Sequence, residues 1–178
     1  PSGADISSAK LKLYYYHYYE YDPDPAGETF QVCRITQPWD DSSTNWNSRP
    51  VYTATVTDSV VIPASYGWVE WDVTTDVQNF LSGEKSNHGW VIQDVTGTYP
   101  MTYFRSSDYG DTGLHPRLEV EFELPGSGTE ADPWRIESES DFAVFAIDSG
   151  FWDGYIRLET NLALGDYDTA VIAPDTDQ

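Results

Sequence analysis

The chain has 178 residues and carries 30 Asp and Glu against 9 Lys and Arg, a net charge of −21. Its field repels phosphate backbones and anionic bilayers, which argues against nucleic acid and charged membrane surfaces as partners. No apolar run reaches bilayer length, one cysteine excludes an intrachain disulfide framework, and aromatics at 15%, with 13 Tyr and 7 Trp, supply many flat apolar faces with polar edges, a combination that sugar-binding surfaces use.

In chain order the pattern from Ala9 to Leu124 is that of β-structure. In AKLKLYYYHYYEY, Leu11, Leu13, Tyr15, His17 and Tyr19 alternate with Lys12, Tyr14, Tyr16 and Tyr18, the period of a strand with one face turned inward. Shorter strands are predicted at TFQVCRI, VYTATV, WVEWDV, GWVIQD and MTYFRS, separated by Gly, Pro, Asn and Asp clusters at the spacing of a β-sandwich. Cys33, in the first of these, reads as a buried small hydrophobe. One helix interrupts the strands at VTTDVQNFLSG, where a Thr cap precedes Val77, Phe80 and Leu81, and Gly83 closes the turn. RLEVEFEL then places Leu118, Val120, Phe122 and Leu124 on one face and Arg117, Glu119, Glu121 and Glu123 on a wet one.

At LPGSGTEADP the composition turns small, polar and flexible. This marks a module boundary, with a first module over 1–124, a linker at 125–129 and the start of a second module at 130–178. Within the second, SESDFAVFAIDSG predicts a helix capped by Ser138 with Asp141 three residues on, burying Phe142, Phe145 and Ala146, and GYIRLETNLAL predicts a strand. The second segment is about twice as acidic per residue as the first and is expected to be too short to bury a core of its own. The chain opens on Pro1 and stops at APDTDQ, so both ends are read as cut from something longer.

Three motifs occur in order: RITQPWDDSSTNWNSRP, WVEWDVTTDVQNFLSGEKSNHGWVI and YFRSSDYGDTGLHPRLEVEF. Together they resemble the DNRLRE domain, which is related to the disaggregatase repeat and to carbohydrate-binding module family 96. The resemblance covers roughly Ser8 to Glu123. It implies a jelly-roll-like β-sandwich, non-catalytic, found in secreted microbial proteins and binding polysaccharide. Members of that family carry further strands ahead of the segment that begins here with PSGADISSAKLKLYYY, so part of a sheet edge or binding face is expected to lie outside this chain. The segment from Gly126 onward resembles the opening of secreted β-helix repeat proteins, in which a connector, a capping helix and a first strand precede the coils.

Candidate site residues follow from residue chemistry. The segment TQPWDDSSTNWNSRP, Thr36 to Pro50, is too polar for a core strand. Either Trp39 and Trp46 offer their rings to pyranose faces, or the segment is a folded loop that plugs one end of the sandwich, with both indoles buried and Asp40 or Thr44 capping a turn. So much Asp, Ser and Asn favours the second alternative. Arg34, Arg49, Arg105 and Arg117 all fall inside the quoted motifs. Each is either a planar fork for a uronate carboxylate or paired sugar hydroxyls, or the structural partner of a nearby Asp40, Asp41, Asp108 or Asp111. Arg105 is the foremost ligand candidate, because alternation in TYFRS sends Phe104 inward and Tyr103 with Arg105 outward. Tyr14, Tyr16 and Tyr18, with Lys10 and Lys12, form either a second flat platform or a second buried face.

For metal, Asp22, Asp24 and Glu28 supply hard oxygens over a short loop, the candidate ligands of a structural calcium ion, although the spacing is not that of an EF-hand and acidic loops are commonly just solvated. Nothing singles out a catalytic carboxylate pair, and His17, His88 and His115 lack a nucleophile at recognisable spacing, so no catalysis is expected. The expected molecule is therefore an all-β, jelly-roll-like antiparallel sandwich with one short helix, followed by a small helix-plus-strand segment. Its expected role is a non-catalytic polysaccharide-binding module, extracellular and monomeric within a larger secreted microbial chain. Arg34, Trp39, Trp46, Arg49, Tyr103 and Arg105 are its expected carbohydrate contacts. The alternatives are a spacer or adhesion module that displays a downstream β-helix, or an accessory part of a polysaccharide lyase or glycoside hydrolase whose chemistry lies elsewhere.

Overall fold

The computed structural model describes residues 6–18, 24–97 and 102–162. The chain divides into two compact units, one formed by Ser8–Val120 and the other by Pro1–Ser7 with Glu121–Gln178.

The first unit is an antiparallel β-sandwich. Its elements are β1 (Ile6–Tyr18), β2 (Thr29–Arg34), β3 (Asp58–Val61), β4 (Gly67–Asp72), α1 (Thr74–Leu81), β5 (Trp90–Asp94), β6 (Thr102–Phe104) and β7 (Arg117–Phe122), the first and last of which run on into the other unit. One sheet has the order β4-β1-β6, with β7 also pairing β1, and the other has the order β3-β2-β5. The register pairs Leu11 with Trp71, Leu13 with Val69 and Tyr14 with Trp68, so the alternation in β1 is matched by that in β4. Tyr15, Val69 and Trp71 of one sheet and Phe30 and Val32 of the other are buried between the layers. The Trp71 indole Nε1 donates to the Phe30 carbonyl at 3.0 Å, which satisfies the ring's polar group inside the core. Cys33 is buried as expected, and burial raises its thiol pKa, which disfavours the reactive thiolate.

Three local expectations are corrected. VYTATV is not a strand: Tyr52 makes a single bridge to Ile35, and strand β3 lies further on. Thr53 and Thr57 donate their backbone N–H groups to Arg34 and Val32, but between them the Thr53 hydroxyl accepts from Thr55 N at 3.1 Å, a turn that lifts the segment off the sheet. Helix α1 begins without a side-chain cap. Asp72 accepts from Thr74 N, while the Thr74 hydroxyl accepts from Ala9 N at 2.9 Å and so joins the helix start to β1. Leu118, placed inside by alternation, is 43% exposed near the start of β7, a strand that among the described residues pairs with β1 alone.

The second unit pairs β8 (Trp134–Ile136) in parallel with β9 (Ile156–Leu158), with α2 (Glu139–Ile147) between them in sequence. The Ser138 hydroxyl caps α2 by accepting from Asp141 N at 3.1 Å, as expected. Contrary to expectation this short segment does bury a small core, in which Leu124, Ile136, Val144 and Phe145 are flanked by Trp134, Phe151 and Trp152. The Gly-Ser-Gly stretch, expected to be a flexible connector, is close-packed instead. Gly128 sits at φ +69° with its carbonyl accepting from Tyr155 N at 2.9 Å, and a Cβ there would meet the Trp134 indole at 2.3 Å. A Cβ on Gly126, at φ +110°, would meet the Pro133 carbonyl oxygen at 2.1 Å.

Candidate functional site

The packing of Phe104 sets the first candidate site. Its ring lies 6.2 Å from Tyr15, 6.2 Å from Phe30 and 6.3 Å from Trp71, anchoring β6 in the core. Pleating then turns Tyr103 and Arg105 to the outer face, and Arg105 N continues the ladder by donating to the Tyr14 carbonyl at 3.0 Å. The Arg105 guanidinium is clamped between two rings, 3.6 Å from the Tyr16 centroid and 3.8 Å from the Tyr109 centroid. Tyr103 lies 6.2 Å from Tyr16 on the same face. The turn that carries Tyr109 is itself held: Tyr109 N donates to the Ser106 carbonyl, and its own carbonyl accepts from His115 Nε2 at 2.6 Å. Tyr16, Phe104, Arg105, Ser106, Asp108 and Tyr109 line a hollow of about 250 Å³.

The pairing of Arg105 differs from that of Arg34 and Arg117. Asp111, one of its expected partners, instead accepts from Gly113 N and caps a helical turn. Among the described residues no carboxylate pairs with Arg105, and its Nε is buried without a hydrogen-bond partner. Arg34 lies 3.8 Å from Asp76, whose carboxylate also accepts from Thr57 Oγ1 at 2.7 Å and Trp90 Nε1 at 2.8 Å, so Arg34 is part of a polar knot that ties α1 to β2 and β5. Arg117 pairs with Glu119 at 2.8 Å and lies over Trp68 at 4.3 Å. Lys12 bridges Glu70 at 2.6 Å and Glu119 at 3.1 Å on the same face, where Tyr14 meets Trp68 edge-on. These contacts hold the Glu70 carboxyl below its ordinary pKa, the Lys12 hydrogen bond first among the causes, and the Lys12 ammonium above its own. The charges beside Tyr14 are thus already neutralised, whereas that of Arg105 is not. The side chain of Tyr18 lies outside the described residues.

The Thr36–Pro50 loop is held by its own hydrogen bonds, as one part of the scaffold reading expected, with Asp40 at its centre. The Asp40 carbonyl accepts from Thr44 Oγ1 at 2.6 Å, and its carboxylate accepts from Ser42 N at 2.8 Å and Ser42 Oγ at 2.6 Å, which holds the group below its ordinary pKa. Asn45 and Ser48 form a reciprocal capping box around the turn that begins at Trp46. The indoles are not buried as that reading expected: Trp39 is 49% exposed and Trp46 80%. The self-contained hydrogen bonding of the loop explains this, since a loop closed by its own polar groups does not depend on apolar burial for its shape. Trp39 Nε1 donates to the His88 carbonyl at 2.9 Å, and Arg49 lies 4.7 Å from the Trp46 ring centroid.

Of the proposed calcium ligands, Asp22 lies outside the described residues and Asp24 accepts from Ala26 N at 2.9 Å. Among the described residues no group of three or more His, Cys, Asp or Glu is placed to hold a metal ion, and no helix is long and apolar enough to cross a membrane. Sequence reasoning missed Tyr109, which reaches Arg105 through turn geometry that carries no period, and His115, which holds that turn; the Ser-Ser-Asp-Tyr-Gly turn signal was the one available pointer.

No curated protein matches the chain. The pattern of one family of non-catalytic sugar-binding modules does match, over residues 1–122, a span that takes in both the Arg105 cluster and the Trp39 loop. The chain belongs to carbohydrate-binding module family 96.

Proposed function

We propose that the sandwich is the polysaccharide-binding module of a secreted, multimodular microbial protein, and that Arg105 with Tyr16, Tyr103 and Tyr109 makes its principal glycan contact. The observation that carries this is a guanidinium that pairs with no carboxylate among the described residues and whose Nε has no hydrogen-bond partner there. A buried Nε without a partner costs about 1–3 kcal/mol, and an apolar side chain between the same two tyrosines would avoid that cost, so folding alone gives little reason for arginine here. Glycan hydroxyls or a carboxylate would accept from the terminal guanidinium nitrogens, which pair with no carboxylate among the described residues, while the tyrosine rings supply apolar faces. The second unit, with its parallel strand pair on either side of a capped helix, reads as the first turn of a further repeat module.

The test is isothermal calorimetry of the 178-residue chain against alginate, pectin, xylan and bacterial exopolysaccharides. Saturable binding to at least one of them, weakened in an Arg105→Met variant of unchanged fold, is the expected result. Binding indifferent to Arg105 would move the site elsewhere, and the absence of binding to any of these glycans would sink the proposal.

A further inference from the structure

Opposite the Arg105 end, the sandwich carries a second set of groups. Phe30 at the start of β2 packs on Phe104, whereas the Thr36–Pro50 loop leaves the far end of that strand. At the rise of an extended chain these ends lie roughly 20 Å apart. We propose that this loop is a separate binding site for an uncharged sugar unit, with the Trp39 ring as its stacking face and the Asp40 carboxylate as acceptor for sugar hydroxyls. The inference rests on the carbohydrate-binding reading of the module but not on Arg105.

The Trp39 indole is half exposed yet fixed, because its one polar group is tied to the His88 carbonyl. An apolar face held in place before the ligand arrives loses little freedom on binding. Beside it lies an open hollow of about 420 Å³, lined among others by Asp40, Ser43, Thr44 and Ser48, within the size range of small-molecule sites. The wall of this hollow is preorganised: Thr44 Oγ1 donates to the Asp40 carbonyl at 2.6 Å and Ser48 Oγ to the Ser43 carbonyl at 3.1 Å. The two Ser42 donors both engage Asp40 Oδ1 and keep the group ionised, so the carboxylate retains acceptor sites on its other oxygen.

Charge selects the ligand class. Asp40 and its neighbour Asp41 place negative charge at the rim of a chain of net −21. The nearby Arg49 lies over the Trp46 ring at 4.7 Å, donates to the Trp46 carbonyl at 3.4 Å and does not line the hollow. A uronate carboxylate would meet repulsion here, whereas sugar hydroxyls would meet an ionised acceptor. Trp39 lines the hollow and Trp46 does not, so Trp39 is the face turned to it. Sites at both ends of one sandwich would let the module engage a long glycan twice or join two chains, raising avidity without a new contact.

The experiment is affinity gel electrophoresis of the 178-residue chain in gels that contain a neutral polysaccharide, xylan, glucomannan or laminarin, or the acidic polygalacturonate. At least one neutral polysaccharide should retard the wild-type chain. Trp39→Ala should weaken that retardation by about tenfold, the scale of one lost stacking contact, without lowering the melting temperature. Trp39→Phe, which keeps an aromatic face, should restore most of it even if the Ala variant proves less stable, and Trp39→Ala should weaken retardation further when added to Arg105→Met. Neutral binding that survives Trp39→Ala, a Trp39→Ala substitution without further effect when added to Arg105→Met, or retardation by polygalacturonate alone would overturn the second site while leaving the Arg105 site standing. No retardation by any polysaccharide would remove both.

Discussion

Arg105 is the position where a binding role and a structural role predict different magnitudes. Its guanidinium touches two tyrosine rings at 3.6 and 3.8 Å from their centroids. Each such contact contributes about 0.5–1 kcal/mol when exposed and about 2 when desolvated, so the half-buried pair stabilises the unit by about 2 kcal/mol. Against this stands the unpartnered Nε, whose burial costs about 1–3 kcal/mol. The two terms nearly cancel. Arg105→Met, which keeps apolar and sulfur contact with both rings, should therefore change stability by no more than about 1 kcal/mol, a melting shift of about 4 °C or less for a unit of this size. Loss of a hydrogen bond to a charged donor costs about 1.5–3 kcal/mol, a roughly 10- to 150-fold rise in the glycan Kd. Thermal melting followed by calorimetric titration on one sample reads both quantities. An unchanged Kd, or a loss of binding no larger than the loss of folded protein, would refute the assignment and leave Arg105 as packing.

Further substitutions separate scaffold from site elsewhere. Asp76→Ala strips the acceptor from Thr57 and Trp90 and the counter-charge from Arg34. It should cost about 3 kcal/mol in denaturant unfolding, with glycan affinity unchanged per folded molecule. Gly128→Ala drives a Cβ to 2.3 Å from the Trp134 indole at a φ of +69°, and should destabilise the second unit by more than about 2 kcal/mol, visible as a lower melting temperature reported by Trp134 fluorescence. The Lys12–Glu70 contact fixes a pH window. Glu70 titrates below its ordinary value of 4.5, so its stabilisation is complete above that value and is lost as pH falls through the depressed one. Lys12 titrates above 10.5, so its share is complete below that value and is lost as pH rises through the raised one. Glu70→Gln should accordingly lower the melting temperature slightly at neutral pH and not in acid. The difference should shrink with added salt because the Glu70 side chain is 36% exposed.

The strands that face the core were legible where burial imposes a period: in β1 Leu11, Leu13 and Tyr15 alternate with Lys12 and Tyr14, and in β4 Val69 and Trp71 alternate with Glu70 and Asp72. VYTATV shows the limit. Its β-branched residues favour a strand, yet the Thr53 hydroxyl turns the backbone off the sheet, a competition that propensity does not resolve. The outward placement of Tyr103 and Arg105 was readable from Phe104 alone. That Tyr109 closes over the guanidinium was not, since it depends on a turn fixed by His115 from six residues away. In the Trp39 loop the polar composition correctly announced a self-bonded fold, and it misled on the indoles, because hydrogen bonds that hold a loop together say nothing of which side its aromatic rings face. The parallel pairing of β8 with β9 joins residues on either side of a helix, a long-range choice that no local pattern encodes.

The central claim is that glycan meets the protein at the clamped guanidinium. Side-chain NMR of Arg105 during titration with oligosaccharides from the bound polysaccharide tests it most directly. The guanidinium nitrogen resonances should shift in a saturable way as they gain acceptors, and saturation transfer should connect the sugar protons to the rings of Tyr16, Tyr103 and Tyr109. Binding that leaves the Arg105 nitrogens and these three rings unperturbed would contradict the claim.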